Sequence, residues 1–257
     1  MKRHSKTNGQ VYPEYLFMIQ IIITHQCPRC GSEQMVKNGH DYKGAQKYHC
    51  KHCHRYGTLF AHAGYDEQTR TQVKRAVLER ISLRGLERVL GLSRRTVSRW
   101  LIDWAKQLPP LADTLDEARV DDVLELDEGW SFVLKKENQR WIGVALCRRT
   151  RQIVAYFIGD RSEASCLQLW RRLPTPYARC HSFSDFWDAY QRIFATDRHQ
   201  SVRKDSGQTA HIERWFNTLR QHLARFVRKT LSFSKSDRFH EIVFRLFVHH
   251  YNQECIS

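Results

Sequence analysis

Val123-Leu124-Glu125-Leu126-Asp127-Glu128 is an apolar, strand-like run that closes on a carboxylate, Asp127. Two further carboxylates stand in comparable settings. Asp185 lies in Ser184-Asp185-Phe186-Trp187-Asp188-Ala189-Tyr190, just beyond a strand read over 178–183. Glu213 opens a helical run, His211-Ile212-Glu213-Arg214-Trp215-Phe216-Asn217-Thr218-Leu219-Arg220. Three carboxylates delivered by separate elements suit a pair of hard divalent cations, Mg²⁺ or Mn²⁺. Such ions take oxygen ligands, and a pair clamps both the attacking and the leaving oxygen of a phosphodiester.

Outward from that run, residues 123–135, 140–148 and 152–158 read as three successive strands. Ser162 or Ser165 caps a helix that runs to Leu173 and stops at Pro174. The strand at 178–183 follows, then helices near 186–194, 208–227 and 237–251. Three strands, a helix, a strand and more helices make an α/β domain with a mixed sheet over about 119–257. On the helix holding Glu213, the residues Ile212, Trp215, Leu219, Leu223 and Phe226 form an apolar stripe. Glu213, Asn217 and Arg220 share its edge within roughly 60° of arc, so Glu213 and Arg220 look into one cleft. Asp121, Asp122, Glu125 and Glu128 crowd Asp127 and read as solvated neighbours; Asp127 is preferred because it ends the apolar run. Asp188 reads as a helix residue that caps or meets water.

Two C-x₂-C pairs precede this half, Cys27-Pro28-Arg29-Cys30 and Cys50-Lys51-His52-Cys53. Their spacing fits one closed, four-thiolate zinc site, with short strands near 34–39 and 46–50, and so a zinc ribbon over 18–62. A redox dithiol or two disulfides are the rivals, but no βαβ pattern accompanies either pair. Cys147, Cys166, Cys180 and Cys255 lack such spacing and read as ordinary thiols. Residues 65–108 then read as a helix-turn-helix. Asp66 caps a helix carrying Val73, Ala76, Val77 and Ile81, a second helix spans 83–90 up to Gly91, and Ser93 caps a third over 94–108. Arg94, Arg95, Thr96, Ser98 and Arg99 crowd the start of that third helix, where a recognition helix meets DNA; the bland alternative is a bundle with a solvated basic face. Pro109-Pro110 ends it, and 112–120 reads as a short acidic linker.

The whole chain of 257 residues carries 42 Lys+Arg against 27 Asp+Glu, a formal charge of +15. That surplus favours a polyanionic partner, nucleic acid before an anionic membrane. No apolar run approaches the roughly 18 to 20 residues of a membrane span. Leu16 to Ile23 is too short and lacks a cleavage site, so it is not read as a signal peptide, and its β-branched Ile21-Ile22-Ile23 reads as a strand entering the first cysteine pair. The cytoplasm is the expected compartment.

The order strand-Asp, Ser-Asp-Phe-Trp-Asp-Ala-Tyr, then Ile-Glu-Arg-Trp-Phe-Asn-Thr-Leu-Arg-Gln resembles bacterial insertion-element transposases of the Asp-Asp-Glu type. Its continuation, Leu219 to Arg225 and Leu231-Ser232-Phe233-Ser234-Lys235-Ser236, is most similar to the family of insertion sequence one. The resemblance covers about residues 24–251. It implies a ribonuclease-H-like catalytic domain preceded by zinc ribbon and helix-turn-helix. It also implies catalytic, metal-binding roles for Asp127, Asp185 and Glu213, with Arg220 as the basic partner. Lys235 joins the expected DNA contacts. Phe186 departs from the pattern, which commonly has glycine there. The implied protein is an enzyme that binds the terminal repeats of its element on double-stranded DNA, cleaves at the ends and joins the 3′-hydroxyls to target DNA. Two Mg²⁺ (or Mn²⁺) and one structural Zn²⁺ serve it, it oligomerises on DNA, and the bacterial nucleoid is its place of work. A nuclease or resolvase of the same fold, or an inactive DNA-binding regulator, are the alternatives.

Overall fold

The computed structural model describes residues 24–42, 44–59, 65–194 and 197–256. The strand expected at Ile21-Ile22-Ile23 and the ends of the expected ribbon, 18–23 and 60–62, lie outside them. The chain divides into two units, residues 1–66 and 67–257.

In the first unit three antiparallel strands, β1 (Met35–His40), β2 (Gln46–Cys50) and β3 (Tyr56–Thr58), form a small sheet in the order β1-β2-β3. Its apolar content is slight: most of β1 is exposed. Two cysteine turns carry the burial instead, with Cys27 and Cys50 the buried members. So small a module draws its stability from a cross-link or a metal.

The second unit begins with three helices: α1 (Glu67–Leu78), α2 (Leu83–Leu90) and α3 (Arg94–Gln107). Local chemistry sets their ends. Ser82 accepts from the Gly85 N–H and Ser93 from the Thr96 N–H, two side-chain N-caps, while Gly91 closes α2 at φ 64°, a left-handed turn that suits glycine. Ile81, expected on the first helix, lies beyond its end and is exposed. The presumed linker is partly structured. Leu111–Thr114 forms a 3₁₀ turn whose Thr114 is buried, because its carbonyl accepts from Gln152 and its hydroxyl from Asn252.

A five-stranded sheet follows, built from β4 (Val123–Phe132), β5 (Gln139–Cys147), β6 (Ile153–Gly159), β7 (His181–Ser184) and β8 (His199–Ser201). The order is β6-β5-β4-β7-β8, with the first three strands antiparallel and β7 and β8 parallel to β4. This is the mixed α/β sheet expected from the sequence. Helices α4 (Glu163–Arg172), α5 (Thr175–Ala178), α6 (Asp188–Ile193), α7 (Ala210–His222) and α8 (Asp237–Ile256) complete it. Ala178, expected in a strand, belongs to α5, which Pro174 and Pro176 start. The long helix expected over 208–227 ends at His222; Leu223 is extended and 224–226 form a 3₁₀ turn. Leu223 and Phe226 stay buried despite the break.

Strand alternation sorts the two faces. Ile142, Val144 and Leu146 of β5 join one core with α7, α8 and the helices α1 to α3. Leu124, Leu126, Ala145 and Cys147 face a second core under α4 and α6. The helical segment therefore shares its apolar interior with the sheet. Trp100, Leu101 and Ala105 of α3 lie in the same cluster as Val243 and Phe247 of α8.

Candidate active site and metal centres

On β4 the alternation puts Glu125, Asp127 and Gly129 on the face that meets α7. Glu125 is fully buried and holds the start of that helix. Its Oε2 accepts from the backbone N–H groups of His211 and Ile212, and its Oε1 from Arg148 and the His211 ring, at 2.7–3.1 Å. Thr209, at the N-cap of α7, makes no side-chain capping bond, so a carboxylate from the sheet does that work. Two residues past Asp127, Gly129 lets the Phe216 ring lie against the strand; a Cβ there would come within 2.8 Å of the ring. Asp127 thus stands on β4 between two fixed contacts with α7.

The β4–β7 ladder ends at Glu125 and Phe183. Beyond it β7 parts from β4 while Ser184 still pairs with Ser201 of β8, and Asp185 follows at the end of the strand. One carboxylate oxygen from each of Asp127, Glu128 and Asp185 lies within 4.8 Å of the others. Burial, then the charges of Glu128 and Asp185, push the Asp127 carboxyl up to about 7. Burial and Asp185 likewise raise Glu128, against the pull of Arg161. Three acids crowded at a half-buried edge hold a strong demand for positive charge.

Cations surround them. Arg161 pairs with Glu128 at 2.7 Å and lies over the rings of Trp141 and Trp187. Lys204 acts electrostatically on Asp127. Burial and nearby Arg228 depress Arg220, and the Asp127 charge works the other way. The Arg220 guanidinium lies over Phe216 and is hydrogen-bonded to Asn217. An open cleft lined by Arg161, Phe186, Trp187 and Lys204 adjoins Asp185.

Each expected site residue has a definite place. Asp127 and Asp185 come together; Glu213, exposed in the first turn of α7, is not part of their close group, and its carboxylate accepts from the Thr209 hydroxyl at 3.4 Å. Asp188 is exposed at the first position of α6. The reading of the acids near Asp127 as solvated holds for Asp121 alone. Asp122 is buried against Arg149 at 2.6 Å, Glu125 caps α7, and Glu128 joins the cluster. Glu128 is not a solvated neighbour: it shares its face of β4 with Leu124 and Leu126, so a carboxylate there must enter the protein. An acid placed in the apolar register of the strand was the signal available in the sequence.

In the first unit, Cys27 Sγ lies 3.6 Å from Cys53 Sγ, and Cys30 Sγ lies 3.7 Å from Cys50 Sγ. All four sulfurs lie within 4.8 Å of one another. Zn–S bonds of about 2.3 Å in a tetrahedron separate sulfurs by about 3.8 Å, which this arrangement fits. Arg94, Arg95 and Arg99 are exposed along the start of α3, with Arg94 paired to Glu87; Thr96 and Ser98 are partly covered. Lys235 is exposed over Phe233, beside Ser234. Through Ser131 and Ser234, buried His240 ties that segment to β4.

Fold and site together define a ribonuclease-H-like domain of the Asp-Asp-Glu class with a zinc ribbon ahead of it. The family model described as IS1 transposase matches residues 122–253, and the InsA N-terminal domain model matches residues 22–54. The chain belongs to the IS1 transposase family. The insertion element iso-IS1n protein InsB of Shigella dysenteriae is 37% identical over 126 residues, 49% of this chain and 93% of that protein. The insertion element IS1 4 protein InsB of Escherichia coli K12 is 36% identical over 141 residues, 54% of this chain and 82% of that protein. Membership makes this chain a transposase whose domain type uses divalent metal, and whose four cysteines suit zinc. No helix among the described residues is long and apolar enough to cross a membrane.

Proposed function

We propose that this transposase binds the terminal repeats of its own element, hydrolyses the phosphodiester at each end, and joins the freed 3′-hydroxyl to target DNA. The observation that carries this reading is the meeting of Asp127 and Asp185 at the edge of β4. Asp127, Asp185 and Glu213 would hold two Mg²⁺ (or Mn²⁺) ions, which supply water activation and charge stabilisation at the attacking and leaving oxygens. Arg220 would steady the phosphate from the side of Asp127. Lys204 and Arg161 lie where the DNA backbone enters. Both element ends must be held at once, so a homo-oligomer on double-stranded DNA is the working form. Labelled element ends incubated with the protein and Mg²⁺ test this directly. Cleaved and joined products are expected; cleavage of native ends without joining of pre-cleaved ones indicates a nuclease, and end binding alone indicates a regulator.

Cys27, Cys30, Cys50 and Cys53 are proposed to hold one zinc per chain. Elemental analysis of folded, reduced protein should find about one zinc, the stoichiometry of a closed four-thiolate site. Cys50→Ser should lose it and impair end binding, while the melting transition of the second unit stays in place. A zinc-free, fully folded wild-type protein would refute the assignment.

The α3 face is the proposed DNA grip, through Arg94, Arg95, Thr96, Ser98 and Arg99, with Lys235 as a further contact. Each lost phosphate contact should flatten the salt dependence of binding by about one unit of slope. The triple alanine variant at Arg94, Arg95 and Arg99 is therefore expected to bind ends more weakly and with a shallower slope. Wild-type affinity and slope in that variant would reduce the face to a solvated surface.

A further inference from the structure

We infer that Glu128 is itself a cation ligand: Asp127, Glu128 and Asp185 form a cradle for one divalent ion that is complete without Glu213. This rests on the metal-dependent reading above and extends it. Carboxylate oxygens of these three residues already lie within 4.8 Å of one another, and Glu213 is outside the group. A cluster of acids alone decides nothing, and Glu128 supplies the second observation. Its side chain is only 3% exposed. Oε1 is bound twice by Arg161, at 2.7 and 3.0 Å, but Oε2 is buried with no hydrogen bond of good geometry, although the Tyr190 hydroxyl lies beside it. The Tyr190 hydroxyl is likewise buried and unpaired.

A buried carboxylate oxygen without a partner is costly and uncommon, unless something outside the chain completes it. Arg161 cannot do so. It is spent on Oε1, and its guanidinium is held over the Trp141 and Trp187 rings. That anchoring fixes the carboxylate and leaves one oxygen to a further cation. An oxygen-rich set of three acids suits Mg²⁺ or Mn²⁺. Asp127 and Glu128 approach from opposite faces of β4, and Asp185 from the end of β7, so the ion would sit at the strand edge. Glu213 then serves the second ion, whose binding involves the exposed turn of α7.

Mn²⁺ titration of the full-length, zinc-loaded protein without DNA, followed by the electron paramagnetic resonance of free Mn²⁺, reads this independently of catalysis. Wild type should show one tight site. Glu128→Gln keeps shape and the Arg161 contact but removes the charge, and should weaken that site roughly tenfold or more, since even outer-shell changes do as much. Glu213→Gln should retain it. Glu128→Asp, which keeps the charge, should fall between wild type and Glu128→Gln, and decides the matter if the glutamine variant does not fold. Wild-type affinity in Glu128→Gln or, failing that, Glu128→Asp, alongside loss in Asp127→Asn, would overturn the inference and leave the two-metal reading standing. Loss of the site in Glu213→Gln would overturn its independence from α7. Absence of any site in wild type would sink both.

Discussion

Asp185→Asn is expected to abolish cleavage and strand transfer while end binding and thermal stability stay near wild type. The substitution keeps size and shape and removes the charge that draws divalent ions to the edge of β4. Asp185 stands past the end of β7, and the bond its side chain makes, Oδ1 accepting from the Trp187 N–H at 3.1 Å, is one that the asparagine oxygen can keep. Asp127→Asn and Glu213→Gln should be as inactive, because each would interrupt the proposed metal pair. Arg220→Ala should weaken catalysis less, as a phosphate contact and not a ligand. Asp188→Asn, exposed at the start of α6, should stay active. Gel assays on labelled ends, with binding measured on the same samples, check the whole series. An active Asp185→Asn beside a dead Asp188→Asn would move the second carboxylate to Asp188 and overturn the assignment to Asp185.

The second large effect belongs to Glu125→Ala. This fully buried carboxylate answers four donors, two of them backbone N–H groups at the start of α7 and one the Arg148 guanidinium. Removing it leaves the Ile212 and His211 N–H groups without their acceptor, at about 1 to 3 kcal/mol for each buried donor, while Arg148 keeps its bonds to Gln208. Urea unfolding should show a loss of that order. Activity should fall as well, even under conditions where the protein remains folded, because the loosened turn carries Glu213. Stability unchanged within about 1 kcal/mol, the ordinary worth of a single hydrogen bond, would contradict this role for Glu125.

What the sequence disclosed follows the range of the interactions involved. Helices α2 and α3 were legible because their signals are local: a serine cap, a glycine stop, a proline pair. Strands β4 to β6 were legible from apolar runs that fill two cores. Strand β8 was missed because His199-Gln200-Ser201 is short and polar, and pairs with β7 through backbone and the His199 ring. The break at Leu223 was missed because the apolar stripe continues unbroken through it. At the site, Asp127 and Asp185 stood out by position, whereas the roles of Glu125 and Glu128 depend on partners far along the chain. Glu125 meets His211 across 86 residues and Glu128 meets Arg161 across 33. No local pattern records such contacts.

One contact between the helical segment and α7 has a geometric outcome. Arg80, in the turn between α1 and α2, donates to the carbonyls of Arg220 and Gln221, and the His222 ring lies 3.2 Å from the Leu78 carbonyl oxygen. With α3 packed on α8, the arginines of α3 and the carboxylates of β4 belong to one solid body without a hinge of loose chain between them. On the proposed roles of α3 and of the carboxylates, a gripped duplex would be measured against the cutting edge as against a ruler. The number of base pairs from grip to cut would then be a fixed dimension of the protein, and an element end that carries its recognition sequence a few base pairs out of place is expected to be held firmly and left uncut.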